Sequence, residues 1–162
     1  MLVAGGKHGA GVHLFDGKNV KLKGTRIWRD GVTMIEIAAN TIEVAGSAVS
    51  SPDWLNNNLG TFTLVGEIVD SKCYLGVMNP GHTKPHRECA TLCISGGIPP
   101  MFVAQDEAGN KMALLLVSAT NQAVNQEVLD FVAEPVKITG QVWREGDQLI
   151  LRADPHTYQR VE

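Results

Sequence analysis

The order of strand signals constrains this chain most. "FTLVGEIVD" (Phe62–Asp70), "PMFVAQD" (Pro100–Asp106) and "KMALLLVS" (Lys111–Ser118) are short runs of β-branched, aromatic and aliphatic residues. That is strand composition. "EAGN" separates the last two as a turn, so they read as a hairpin. "VKITGQVWREGDQLILRA" reads as two more strands around Glu145-Gly146-Asp147, a second hairpin signal. Between the hairpins lies "SATNQAVNQEVLDFVAE". Thr120 or Asn121 can cap it, Ala123, Val124, Val128, Leu129, Phe131 and Val132 recur at helical spacing, and Pro135 follows. This pattern predicts a helix. Strand, long loop, strand, strand, helix, strand, strand is the order of an OB-fold, a small five-stranded Greek-key barrel. The expected class is therefore all-β with one or two short helices. The long first loop, residues 70–100, falls at the barrel mouth.

An internal echo precedes the barrel. "VHLFDGKNVKLKGTRIWRDG" (Val12–Gly31) matches "VLDFVAEPVKITGQVWREG" (Val128–Gly146) in pattern, with Val20–Gly24 over Val136–Gly140 and Trp28 over Trp143 after one insertion. Each copy turns at an acidic-Gly pair and re-enters a strand, "VTMIEIA" or "QLILRA". Residues 1–45 are thus expected to form a partial OB-like β unit. Residues 46–61, rich in Ser, Pro, Asn and Gly, read as a linker, and residues 62–162 as the OB domain. "LVAGGKHGAG" directly after Met1 reads as a strand entering a glycine loop. Such an opening predicts a longer natural chain, with an anchor or leader preceding it.

A chain of 162 residues with 44% hydrophobic and 19% charged residues is globular in composition. Its net charge of −3 excludes long-range attraction to nucleic acid or an anionic membrane. No apolar run approaches the roughly 20 residues of a membrane span. Membrane contact is expected only through an anchor outside this sequence.

All three cysteines, with two of the five histidines, lie in "VDSKCYLGVMNPGHTKPHRECATLCISGGIPP", Val69–Pro100. Pro85 suits a first helical turn, and Gly96 or Gly97 the left-handed residue that ends a helix. A helix of two to three turns follows, capped at Thr83 or Lys84. On it His86, Cys89 and Cys93 stand at i, i+3 and i+7, within a sector of about 60°. Cys73, at the end of the first barrel strand, can complete a Cys₃His set. Such a set suits zinc or copper. A disulfide from Cys73 to Cys89 or Cys93 is the other option and would stabilise by about 2–4 kcal/mol. Inert reduced thiols, or a reactive Cys89 beside His86, complete the choices that the residues leave open.

Other candidates carry less. "AGGKHGAG" (Ala4–Gly11) fits neither a dinucleotide nor a P-loop spacing and reads as a flexible turn. His8 and His13 read as solvated, His82 as an alternative ligand in an exposed turn, and His156 as decoration at the exit of the last strand. Asp70 and Lys72 read as strand caps. Trp28, Trp143, Tyr74 and Phe102 could stack on bases, but in an acidic protein they read as packing residues. With no paired carboxylates, no triad and no open metal site with a base, the residues lean away from an enzyme.

"GEIVDSKCYLG", "HRECATLCISGGIPPMFV" and "VKITGQVW" resemble a group of uncharacterised bacterial OB-fold-like proteins. These carry a G-x-(V/L)-x-D-x-x-C strand, an H-x-x-C-A-x-x-C helix and a following G-x-P. The likeness covers Phe62 to Ala153. It implies an OB-like fold, Cys73, His86, Cys89 and Cys93 as site residues, Gly97 and Pro99 as shapers of the loop, and an exported or membrane-anchored, hence extracytoplasmic, location. The expected function is a periplasmic binding protein that holds zinc or copper in the Cys/His loop. The alternative is a metal-free, disulfide-stapled interaction module, an accessory subunit with a protein partner in an envelope-associated complex.

Overall fold

The computed structural model describes residues 1–29, 31–47, 56–106 and 108–161. Its longest strand, β6 (Asn56–Asp70), pairs antiparallel with both β7 (Pro100–Gln105) and β9 (Pro135–Glu145). β7 pairs with β8 (Lys111–Val117), β8 runs parallel to β10 (Gln148–Arg152), and β10 returns to β9. The circuit β6-β7-β8-β10-β9-β6 closes a five-stranded mixed barrel with OB-fold-like strand order. A short β11 (Gln159–Arg160) extends the sheet beside β9.

Alternation along the strands sets the two sides of the wall. In β9, Val136, Ile138 and Val142 are buried while Lys137, Thr139 and Gln141 are exposed. The buried set joins Ile68, Phe102, Leu114, Leu116 and Leu151 in the barrel interior. The opposite faces of β6 and β7 present Val69, Met101 and Val103 to a second core, shared with Val3, Val32 and Met34 of the N-terminal strands. There β1 (Leu2–Val3) lies parallel to β4 (Val32–Ile37), and β3 (Gly24–Arg29) pairs antiparallel with β4. β2 (Lys18–Lys21) pairs separately with β5 (Glu43–Ser47). The two stretches aligned by sequence differ in form. Val136–Gly140 lies within one continuous strand, whereas Val20–Gly24 spans the break between β2 and β3. Much of the expected linker, residues 48–55, falls outside the described residues. Its last part, from Asn56, is already strand, paired with β9.

The helix expected between the third and fourth barrel strands does not form. Described residues 118–134 make turns and one 3-10 turn, Leu129–Phe131. Val124, Val128 and Val132 still point into the barrel core, so the apolar spacing is real but the backbone is not helical. β-branched and Asn residues are weak helix formers. Asn121 and Ala133 sit at positive φ, 64° and 60°. The Asn125 side chain donates to the carbonyls of Ile94 (2.8 Å) and Ile98 (2.9 Å), a tertiary use that competes with helix formation. The helix that packs into the barrel instead comes from the long first loop. It is α1 (Arg87–Ser95), whose Ala90 and Ile94 belong to the interior cluster. Asn125→Ala is expected to destabilise the fold by about 1 kcal/mol, because the Ile98 carbonyl loses its donor while the Ile94 carbonyl keeps the Gly97 N–H. A urea titration reads this as a lowered midpoint at unchanged slope.

Candidate metal centre

The first loop leaves β6 at Asp70 and coils at once. Asp70 Oδ1 accepts the Cys73 backbone N–H at 2.8 Å. This bond starts a helical turn that widens into a π-turn over Cys73–Val77. Wide turns of this kind are frequent at functional sites. The chain returns through a 3-10 turn at Lys84–His86, with Pro85 at its start, directly into α1. α1 ends as expected. Gly97 takes φ +96°, its N–H donates to Ile94 O at 2.9 Å, and Ile98 N–H donates to Cys93 O at 3.0 Å. One stripe of α1 therefore enters the barrel, and the neighbouring stripe, Cys89 and Cys93, faces the π-turn.

Three of the four residues expected at the site, Cys73, His86 and Cys89, form one group, and the fourth, Cys93, meets Cys73 and Asp70 in a second. The ligand atoms of Cys73, His86 and Cys89 lie within 4.8 Å of one another, and so do those of Asp70, Cys73 and Cys93. Cys73 belongs to both groups. Cys73, Cys93, His86 and Asp70 are buried, and Cys89 is partly exposed. The cysteines are free thiols. His86 Nε2 lies 3.1 Å from Asp70 Oδ2, with Asp70 fully buried. Where the Asp70 carboxylate accepts from Nε2, Nδ1 keeps the lone pair that a cation requires. A carboxylate that orients a metal-binding imidazole in this way is a common outer partner of metal ligands.

Asp70 is therefore more than the strand cap expected from sequence. It does cap the turn, and it also holds His86. Lys72 is no simple cap either. Its ammonium, nearly buried, donates to the carbonyls of Ala4 (3.0 Å) and Gly6 (2.8 Å) and pairs with Glu36 at 2.5 Å. It anchors "AGGKHGAG", which is not a free turn. Gly9 N–H donates to Gly96 O at 3.0 Å. A Cβ on Gly9 would strike the Gly97 carbonyl, and one on Gly96 would strike the Lys7 carbonyl. The glycines are there because two backbones touch. This docking puts Lys7 Nζ 3.0 Å from Cys89 Sγ and 3.8 Å from Cys93 Sγ. Sequence reasoning missed Lys7 and the pairing of Asp70 with His86. The one available signal was a glycine run at each end of the contact.

The other histidines stay apart. His82 Nδ1 is 4.0 Å from Glu67, and the His82 ring meets Tyr74 edge-on. His13 lies in a 3-10 turn, Val12–Phe15, and His156 in the turn Pro155–Thr157. Phe102 is in the barrel interior and Tyr74 in the second core. Trp143 is covered by the Arg152 guanidinium at 4.2 Å. Trp28 is 60% exposed.

The electrostatics favour protons or a cation at the sulfurs. Burial, then the Asp70 carboxylate, push the Cys73 thiol far above its ordinary value, and the same two causes push Cys93 up to about 11. The hydrogen bond to Cys89 raises Lys7. A thiophilic metal replaces protons at such a site and offsets the cost of burying thiolates. The donor set, soft sulfur with imidazole, fits zinc or copper. The principal clefts of the described residues lie elsewhere; one of about 400 Å³ is lined by Val65, Glu67, His82 and Lys84 among others.

Comparison with known protein families, curated proteins and solved structures finds no match to this chain. The fold and the site define its class by themselves: an OB-fold-like β-barrel protein with a Cys/His/Asp cluster of metal-ligating character beside the barrel.

Proposed function

We propose that this is an extracytoplasmic binding protein that holds one zinc or copper ion in the loop at the barrel mouth. Cys73, His86, Cys89 and Cys93 are the ligands and Asp70 orients His86. One observation carries the reading: the sulfurs of Cys73 and Cys89 and a ring nitrogen of His86, from the π-turn, α1 and the 3-10 turn before it, converge within 4.8 Å. A staple would need two sulfurs and no buried imidazole. The location rests on the resemblance of "GEIVDSKCYLG" and "HRECATLCISGG" to proteins that are often exported. Cell fractionation of the native chain tests it.

The same closeness of Cys73 to Cys89 and Cys93 supports a second reading, a disulfide-stapled interaction module with a protein partner. Metal analysis of protein purified without chelator separates the two. About one equivalent of zinc or copper is expected. Less than about a tenth of an equivalent, with one disulfide by mass, sinks the metal reading. His86→Ala is expected to abolish stoichiometric uptake. In a stapled module it would change neither metal content nor the disulfide.

A further inference from the structure

We infer that the N-terminal glycine loop is a strap over the metal centre, latched by Lys7 on the sulfurs of Cys89 and Cys93, and that it governs how fast the ion exchanges. The inference rests on the metal reading above and concerns a segment that reading does not use. Three contacts hold the strap. Lys72 grips its carbonyls at Ala4 and Gly6. Gly9 N–H bonds Gly96 O, at the end of the helix that carries both cysteines. Lys7 reaches Cys89 Sγ at 3.0 Å and Cys93 Sγ at 3.8 Å.

Cys89 is the most exposed of the three cysteines, and Lys7 stands over it. Three thiolates on a divalent ion leave one surplus negative charge, and on a monovalent ion two. An ammonium in contact with the sulfurs is attracted in either case, more strongly than by neutral thiols, because charge-assisted bonds are the strong ones. Metal loading therefore tightens the latch. By linkage, loosening the strap lowers the equilibrium affinity for the ion by the factor by which the ion tightens the strap, and an ion no longer covered by the strap leaves faster. Lys7 is a positioning residue here: it touches the ligands, not the ion.

The test uses the whole chain loaded with zinc, and its release to excess chromogenic chelator. Lys7→Met is expected to release zinc at least about tenfold faster while still binding one equivalent, because the Cys₃His donors are untouched. Lys7→Arg, which keeps the charge and N–H donors, is expected to recover most of the slow release. Hydrogen exchange at the Gly9 amide adds a readout that mere stability would not move selectively. Its protection should rise on zinc loading in the native chain and rise less in Lys7→Met. Equal release rates for the native chain and Lys7→Met would overturn the strap while leaving the metal reading intact. Failure of the native chain to take up zinc or copper overturns the metal reading and the strap with it.

Discussion

Cys73→Ser is expected to weaken metal binding at least about 100-fold, one of the largest effects open to a change in this loop. Both donor groups of the site contain Cys73. Without its sulfur neither group keeps three close donors: His86 and Cys89 remain in one, Asp70 and Cys93 in the other. A hydroxyl is a poor substitute for thiolate on a thiophilic ion. Structural zinc binding is worth about 10–16 kcal/mol in small domains, so a loss of at least about 100-fold in affinity is a cautious expectation. Competition with a chelator of known strength measures it. Cys93→Ser is the contrast. It leaves Cys73, His86 and Cys89 in place and is expected to bind one equivalent more weakly. If Cys73→Ser and Cys93→Ser behave alike, the central role given to Cys73 is wrong.

Asp70→Ala is expected to damage both fold and site. Asp70 is fully buried and serves the Cys73 amide and the His86 ring together. Removing it leaves two buried donors without an acceptor, at about 1–3 kcal/mol each. A loss of about 3–5 kcal/mol in chelator-treated protein follows, read as a lowered urea midpoint. In metal-loaded protein, affinity is expected to fall about 10–100-fold, the usual cost of losing the partner of a metal-binding histidine. Asp70→Asn keeps one acceptor oxygen and is expected to be milder on both counts. A stability loss in Asp70→Ala below about 1 kcal/mol would show that the Asp70–His86 bond is incidental.

The barrel was largely legible because its strands declare themselves locally. β-branched runs, the Glu145-Gly146-Asp147 turn and the hairpin before Lys111 each carry their own signal, and their order leaves few topologies. α1 was legible for a similar reason: Pro85 and Gly97 mark its two ends, and helical spacing puts Cys89 and Cys93 on one face. The failed helix at 118–134 shows the limit of spacing. Val124, Val128 and Val132 fill the barrel from irregular chain as well as from a helix, and the bonds of Asn125 to α1 are invisible in a local window. Asp70 was seen beside Cys73 but not beside His86, since nothing in the sequence ties a strand-end carboxylate to a ring 16 positions on. Lys7 was harder still. Its bond to Cys89 spans 82 positions and depends on two glycine runs meeting backbone to backbone.

The placement of α1 has a consequence for how such a protein can change over time. A loop that only decorates a barrel can be shortened without harm to what it hangs from. Here Ala90 and Ile94 stopper the barrel from the same helix that carries Cys89 and Cys93. Trimming the loop would uncork the interior, so the centre is not a detachable ornament. A descendant that lost Cys89 and Cys93 would still have to keep the helix that carried them.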